Sequence, residues 1–272
     1  MNHTLSPESL DNLAHLVRSC GRWAHAQQKE ITRTYKSDGT VVTEVDLEIS
    51  RRIIEHLQAN FPQANIISEE NPLPFDEEAA WTFILDPIDG TDVYSQGMPC
   101  WAVALAILDN ERNPVGALIS APRWGIGEEE LFIRLDPGGV LLVNDQPFTL
   151  AEDKDFPHQI TMGSFGQRYF DFSRFEGKIR IFGSAILHLL SAVIYPHVQG
   201  ALAQSCYAWD IAAAHAVLKH VGMDVEYIDG NPFHYSDRLL IERKKFHPPL
   251  YAGTKACIKE LGRLLPPDER HR

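Results

Sequence analysis

The sequence contains few cysteines, and none of them is paired along the chain. Cys20, Cys100, Cys206 and Cys257 form no C-x-x-C motif, so neither a disulfide framework nor a zinc knuckle is indicated. The chain also lacks an apolar run of membrane-spanning length, and residues 1–17 do not have the charged-then-apolar layout of a signal peptide. We therefore expect a cytoplasmic protein with reduced thiols and no membrane partner.

Positive charge is scarce as well. Lysine and arginine number 25 against 37 aspartates and glutamates, which gives a formal net charge of −12. The longest basic run is Arg243-Lys244-Lys245. Because a protein of this charge repels polyanions, we expect no nucleic acid polymer among its partners. An anionic small molecule would need a source of attraction other than the average side-chain charge.

The first half of the chain is predicted to form two helices followed by strands. One helix starts near Pro7, and a second covers about Thr43 to Gln58, where Thr43 and Asp46 form a capping pair. Residues 81–143 consist of strand-like apolar runs separated by glycine and proline. This order of elements indicates helices layered on a sheet.

The second half has a different pattern, in which short strand-like segments alternate with helical ones. Such alternation is typical of an α/β unit. The polar segment 151–156 marks the boundary between the halves. We therefore predict a fold of the α/β (α+β) class, with an N-terminal α+β half (1–150) and a C-terminal α/β half (151–272). The helices predicted in the second half cover residues 184–195, 209–221 and 254–264.

Acidic residues follow two of the predicted strands. Asp86 ends the apolar run TFIL, and Asp89 comes three residues later in a turn that Pro87 would stiffen. Glu69 or Glu70, after the strand-like NIIS, could reach the same place. Crowded acids raise each other's pKa, whereas a hard divalent cation neutralises them and prefers oxygen ligands. A magnesium site is the natural explanation.

Two further features fit such a site. Asp210 stands where a predicted helix begins, so the N-terminal half would carry most metal ligands and the C-terminal half would supply Asp210. The backbone N–H groups of Gly90 and Thr91, at the start of a helical turn, suit a phosphate oxygen. That would allow an acidic protein to hold an anion.

Several of these residues also have simpler interpretations. Asp46 can be a helix-capping acid and Lys36 a solvated surface lysine. His188 and His215 lie on apolar helices, where core histidines with satisfied hydrogen bonds are commoner than ligands. The metal interpretation depends on the combination of acids and not on any one of them.

Five motifs occur in an order that is specific to one family. They are VVTEVD (41–46), ISEE (67–70), DPIDGT (86–91), GSA (183–185) and WDIAAAHAV (209–217). With them, the chain from about 36 to 254 resembles the inositol monophosphatase family of magnesium-dependent, lithium-sensitive phosphatases. The resemblance implies a layered α/β/α/β/α sandwich of the inositol monophosphatase/fructose-1,6-bisphosphatase type, a homodimer, and hydrolysis of a small phosphorylated metabolite.

The resemblance also implies roles for individual residues. Thr91, oriented by Asp46, would lie with Glu69 around the water that attacks phosphorus, and Lys36 would lie near them. The amides of Gly90 and Thr91 would hold phosphate oxygens. The other implied substrate contacts are Gly183, Ser184 and Asp210. Two or three Mg²⁺ ions would be held by Glu69, Asp86, the carbonyl of Ile88, Asp89 and Asp210.

The motifs indicate the reaction more narrowly than they indicate the substrate. Ala203 occupies the position at which inositol-selective relatives use an acid to bind sugar hydroxyls, and Asp92 adds negative charge after Thr91. An inositol or sugar monophosphate is the first expectation. The alternatives are a 3′(2′),5′-bisphosphate nucleotide, histidinol phosphate, a non-catalytic metal-binding regulatory protein, and a glycosidase that uses Glu69 and Asp86 as its carboxylate pair.

Overall fold

The computed structural model describes residues 5–37, 39–125, 127, 130–151 and 153–268. Its helices are α1 (Pro7–Gln27), α2 (Glu44–Asn60), α3 (Thr91–Ser95), α4 (Ala185–Ile194), α5 (Ala212–His220), α6 (Asp237–Leu240) and α7 (Lys255–Leu264), with a 3₁₀ turn at Gly166–Arg168. Its strands are β1 (Thr34–Tyr35), β2 (Val41–Val42), β3 (Asn65–Ser68), β4 (Thr82–Asp89), β5 (Ala102–Leu108), β6 (Pro114–Ala121), β7 (Leu131–Leu135), β8 (Leu142–Val143), β9 (Gln146–Pro147), β10 (Gln159–Met162), β11 (Lys178–Arg180), β12 (Gly200–Ala203), β13 (Asp224–Tyr227) and β14 (Leu250–Gly253).

The first two helices begin where the sequence predicts. At α1 the hydroxyl of Ser6 accepts from the backbone N–H of Ser9 at 3.1 Å, and proline occupies the first turn. At α2 the Thr43–Asp46 capping box is formed, with Thr43 N donating to Asp46 Oδ2 at 2.9 Å. These caps satisfy N–H groups that have no partner inside the helix.

The larger sheet has the strand order β3-β4-β5-β6-β7-β8-β9. Its first pair, β3 and β4, is parallel, and the other neighbours are antiparallel. Phe83 and Leu85 pack with α1 and α2, whereas Ile84 packs with α4 and α5 on the other face. Because helices cover both faces, the central strands consist of continuous apolar runs without polar alternation.

The smaller sheet, in the order β11-β10-β12-β14-β13, completes the layers. Helices α4 and α5 lie between the two sheets, and α7 covers the outer face of the smaller sheet through Ile258 and Leu261. The α/β/α/β/α sandwich is therefore confirmed. The chain passes from one sheet to the other between β9 and β10, yet one hydrophobic core runs from Ile67 to Ala252 across both halves.

The predicted turn at Pro87 is wrong, because β4 continues through Asp89. Asp86 pairs with Ala104 and Asp89 with Ala102, so β4 advances by three residues where β5 advances by two. The extra residue makes a bulge, which redirects side chains and accommodates a proline that cannot donate to the ladder. A bulge depends on the partner strand and leaves no local signal.

Among the described residues, none of the helices combines the length and apolarity needed to cross a lipid bilayer.

We expect Ile53→Ala to destabilise the fold. Ile53 on α2 is fully buried, so truncation leaves a cavity and should cost about 2–5 kcal/mol of unfolding free energy. The matched control is Leu47→Ala on the same helix, whose side chain is exposed, with an expected change within about 0.5 kcal/mol. Urea denaturation measures both, and equal losses would contradict the assignment of Ile53 to the core.

Candidate active site and metal centre

A cavity of about 540 Å³ opens where the end of β4 meets the second half of the chain. Its walls come from the β1–β2 hairpin, the start of α3, the residues before α4, and the segment 202–210 that connects β12 to α5. The two halves of the chain therefore both contribute to it. Every metal ligand named from the resemblance lines this cavity: Glu69, Asp86, Ile88, Asp89 and Asp210.

Three carboxylates converge at the floor of the cavity. Oxygens of Asp86, Asp89 and Asp210 all lie within 4.8 Å of one another. The β4 bulge presents the first two acids, and the turn before α5 presents the third, where the backbone N–H of Tyr207 donates to Asp210 Oδ2 at 2.6 Å. Residues far apart in sequence thus form one acidic cluster.

The N-terminus of α4 holds Asp89 in place. The hydroxyl of Ser184 and the backbone N–H groups of Ala185 and Ile186 all donate to its carboxylate, the last at 2.7 Å. Ser184 is fully buried, and its hydroxyl also accepts from Leu187 N. This geometry favours orientation of Asp89 over the direct substrate contact implied for Ser184, whereas Gly183 does line the cavity.

Glu69 lies at the end of β3, on the cavity wall. Lys36 Nζ contacts Glu69 Oε1 at 2.8 Å and Glu70 Oε1 at 2.6 Å, so this lysine is ion-paired and not merely solvated. Of the two glutamates, only Glu69 is among the described residues that line the cavity. It stands outside the tight cluster of three aspartates.

Thr91 and Asp46 are joined as the resemblance implies. Thr91 Oγ1 is 3.0 Å from Asp46 Oδ1 and 2.9 Å from the carbonyl of Ile88. Asp46 is also the capping acid of α2, so it caps the helix and contacts Thr91 at the same time. Gly90, with φ of 90°, opens α3, and a Cβ there would lie 3.2 Å from the carbonyl of Cys100, which makes glycine the fitting residue.

Burial raises the pKa of five acids in and beside the cavity. It raises the pKa of Asp46 and Asp89 to about 6 and that of Glu69 and Asp210 to about 7, with neighbouring carboxylates adding to the effect. The pKa of Asp86 is raised well above its ordinary value by burial and then by Glu69. Ionising all of them together requires positive charge.

The donor set fits a divalent cation. Asp86 Oδ1 is buried and has no hydrogen-bond partner among the described residues, although it faces other acids. Carboxylate and carbonyl oxygens are the ligands that Mg²⁺ prefers, and a cation would satisfy the unpartnered oxygen and lower the raised pKa values together. The residues present therefore fit the metal that the sequence predicts.

The two histidines behave as core residues. His188 Nε2 accepts from the backbone N–H of Phe182 at 2.8 Å, and burial lowers the pKa of His188 to about 3, so it is neutral. His215 contacts Asp224 at 2.7 Å and Tyr235 at 3.1 Å. Neither belongs to the acidic cluster.

Sequence reasoning missed the cations and aromatic rings around the cavity. Arg33, Tyr35, Tyr207 and Lys245 line it, and Lys245 Nζ lies 5.0 Å from the ring centroid of Tyr207. The basic run at 243–245 was a signal, but nothing local placed it at the cavity. Its position follows from the packing of the loop after α6.

Comparison with known proteins agrees with this architecture. The inositol monophosphatase family profile matches residues 14–259. The fructose-1,6-bisphosphatase/inositol-1-monophosphatase of Thermotoga maritima is 27% identical over 94% of this chain and 99% of its own. A 3′(2′),5′-bisphosphate nucleotidase, CysQ, from Aggregatibacter actinomycetemcomitans is 36% identical over 44% of this chain and 46% of its own.

A solved structure shows the same fold at lower identity. An IMPase/NADP phosphatase complexed with Mg²⁺ and phosphate superposes with a TM-score of 0.78 at 17% identity, covering 95% of each chain. The family match spans both halves and all five motifs. The chain therefore belongs to the inositol monophosphatase family and is a phosphoric monoester hydrolase.

Proposed function

We propose that this enzyme hydrolyses a small phosphate monoester, an inositol or sugar monophosphate in the first instance, with magnesium at the acidic cluster. The observation that carries the proposal is the meeting of Asp86, Asp89 and Asp210 beside the Thr91–Asp46 pair. From the resemblance alone, we also propose that the enzyme is lithium-sensitive, homodimeric and cytoplasmic. The CysQ likeness, over 44% of this chain, supports a bisphosphate nucleotide as the second candidate substrate.

The metal would be held by the acids and one carbonyl. We assign two or three Mg²⁺ ions to Glu69, Asp86, the carbonyl of Ile88, Asp89 and Asp210. A bound divalent cation supplies charge neutralisation and a lowered pKa for water, so that no nucleophilic side chain is needed. The buried, unpartnered oxygen of Asp86 supports this assignment.

The protein's own groups would position the reactants. Hydrogen bonds from the Thr91 hydroxyl to Asp46 and to the Ile88 carbonyl leave its oxygen lone pairs free to accept from a water. Glu69, on the cavity wall, would accept a hydrogen bond from the same water. The amides of Gly90 and Thr91 would receive phosphate oxygens, and Lys36 would keep Glu69 in place.

We expect Asp89→Asn to abolish phosphate release while the fold is retained. Removing a group that only orients a metal ligand lowers metal affinity or activity by about 10–100-fold, so loss of a ligand itself should lower activity by at least about 100-fold. The measurement is phosphate release from inositol 1-phosphate with magnesium, with EDTA and with magnesium plus lithium, alongside circular dichroism. Asp229→Asn, at an exposed turn acid, is the control. Full activity of Asp89→Asn would remove Asp89 from the metal site.

Thr91→Val should lower kcat by about 10²–10⁴-fold, because it removes the hydroxyl that orients water. Thr91→Ser keeps that hydroxyl and should recover most of the activity. Steady-state kinetics of both variants at saturating magnesium provides the test. If valine and serine were equivalent, Thr91 would have only a structural role.

We expect the metal-free protein to lose stability as pH rises from about 5 to 7.5. The folded-state pKa values of Asp89, about 6, and of Glu69 and Asp210, about 7, exceed those of the unfolded chain. The folded state therefore binds more protons in this window, and stability falls as pH rises. Magnesium should raise Tm more at pH 7.5 than at pH 5.

Calorimetry in EDTA and in magnesium at each pH would measure both effects. Asp210→Asn removes one raised pKa and should flatten the metal-free dependence, whereas Asp229→Asn should leave it unchanged. A metal-free Tm that is independent of pH, or that rises with pH, would contradict the assignment of these acids.

A further inference from the structure

The loop after α6 carries the longest basic run of the chain to the mouth of the cavity. Arg243 donates to the carbonyls of Ser68 and Glu69, and its guanidinium carbon lies 5.2 Å from the ring centroid of Trp209. Its backbone is left-handed, with φ of 52°, a conformation that few non-glycine residues adopt. These contacts anchor the loop to both halves of the chain, so the position of the next residues is fixed.

Lys244 and Lys245 then point to different surroundings. Lys244 Nζ pairs with Glu242 at 2.6 Å on the exposed side of the loop. Lys245 lines the cavity and lies over Tyr207, whose ring is stacked on Trp209 at 4.6 Å. The ammonium itself lies over the ring, and because an ammonium has three N–H donors it can contact a ligand from this position.

Within the described part of the chain, Lys245 differs from the other cations around the cavity. Arg33 is paired with Asp92, and Lys36 is paired with Glu69 and Glu70. No carboxylate lies within ion-pair distance of Lys245 among the described residues. An acidic protein thus leaves an ammonium without an ion pair at the entrance to the site.

Segment 202–205, beside this ammonium, carries no charged side chain. The segment 202–205 lines the cavity with leucine, alanine, glutamine and serine, and Ala203 leaves the space there open. Lys245 also acts on the charge of Asp210, so its ammonium lies near that acid and beside this uncharged segment. A leaving group that extends from the phosphate site along segment 202–205 would meet it.

We propose that Lys245 is a specificity-determining residue that binds a second anionic group carried by the leaving group of the substrate. The inference rests on the proposed phosphomonoesterase function and selects, within it, substrates that keep a phosphate or carboxylate after hydrolysis. An ammonium is a compact donor suited to such a group. A sugar bisphosphate and a nucleoside bisphosphate share this chemistry, whereas histidinol phosphate, with a cationic leaving group, would be repelled.

The experiment compares Lys245→Met with Lys245→Arg and with the neighbouring control Lys244→Met. Each variant is assayed on two matched pairs: fructose 1,6-bisphosphate with fructose 1-phosphate, and adenosine 3′,5′-bisphosphate with adenosine 3′-monophosphate. Inositol 1-phosphate and histidinol phosphate complete the panel. In one of the two pairs the ratio of kcat/KM for the bisphosphate to kcat/KM for the monophosphate will be larger. That pair identifies a sugar or a nucleoside as the carrier of the anion.

We expect Lys245→Met to lower kcat/KM for the preferred bisphosphate by about 10- to 100-fold, mainly through KM. The matched monophosphate and inositol 1-phosphate should change by less than about twofold. Lys245→Arg should keep the preference, and Lys244→Met should behave as the wild type. Higher ionic strength should weaken the preference in the wild type and not in Lys245→Met.

Two results would overturn the inference. Lys245→Met could lower kcat/KM equally for substrates with charged and with uncharged leaving groups, and also change the magnesium concentration that gives half-maximal activity. That result would show that Lys245 only compensates the charge of Asp210. Unchanged kinetics on every substrate would show that Lys245 contacts no substrate.

Failure of the proposed function is distinguishable from both. If the wild type released phosphate from no substrate, calorimetric binding of adenosine 5′-monophosphate and of fructose 6-phosphate, against adenosine and inositol, would still test Lys245. Weaker binding of the two phosphates to Lys245→Met alone would support the anion site. Equal binding by wild type and variant would refute it.

Discussion

The constraint on which the site depends is the cost of ionising several carboxyl groups in one buried place. Burial and mutual repulsion raise the pKa of Asp46, Glu69, Asp86, Asp89 and Asp210 together. Protein donors stabilise most of these acids, but one buried oxygen of Asp86 has no partner within the described part of the chain. A state in which all are ionised needs positive charge from outside the chain, so the demand for a divalent cation follows from the packing itself.

Helix starts provide most of the donors that hold these acids. Asp46 caps α2, Asp89 accepts from the first residues of α4, and Asp210 precedes α5. The first N–H groups of a helix have no partner inside it, and the helix dipole favours negative charge there. Because α4 and α5 are packed between the two sheets, the distances among the acids are set by the layered core.

The same arrangement explains how a chain of net charge −12 can hold an anion. The acids attract cations, and basic side chains of the chain itself lie beside them. Lys36 compensates the two glutamates after β3, and Arg243 fastens the segment around Glu69 to the Trp209 side of the cavity.

The sequence by itself determined the helix caps and the buried strands, because these depend on neighbours along the chain, and its five motifs singled out the acids. It misplaced the turn at Pro87, since a bulge depends on pairing with β5. Only the tertiary structure decided that the hydroxyl of Ser184 donates to Asp89 and that Lys245 lies at the entrance to the cavity. Those positions are fixed by how two sheets pack around α4 and α5, which local patterns do not encode.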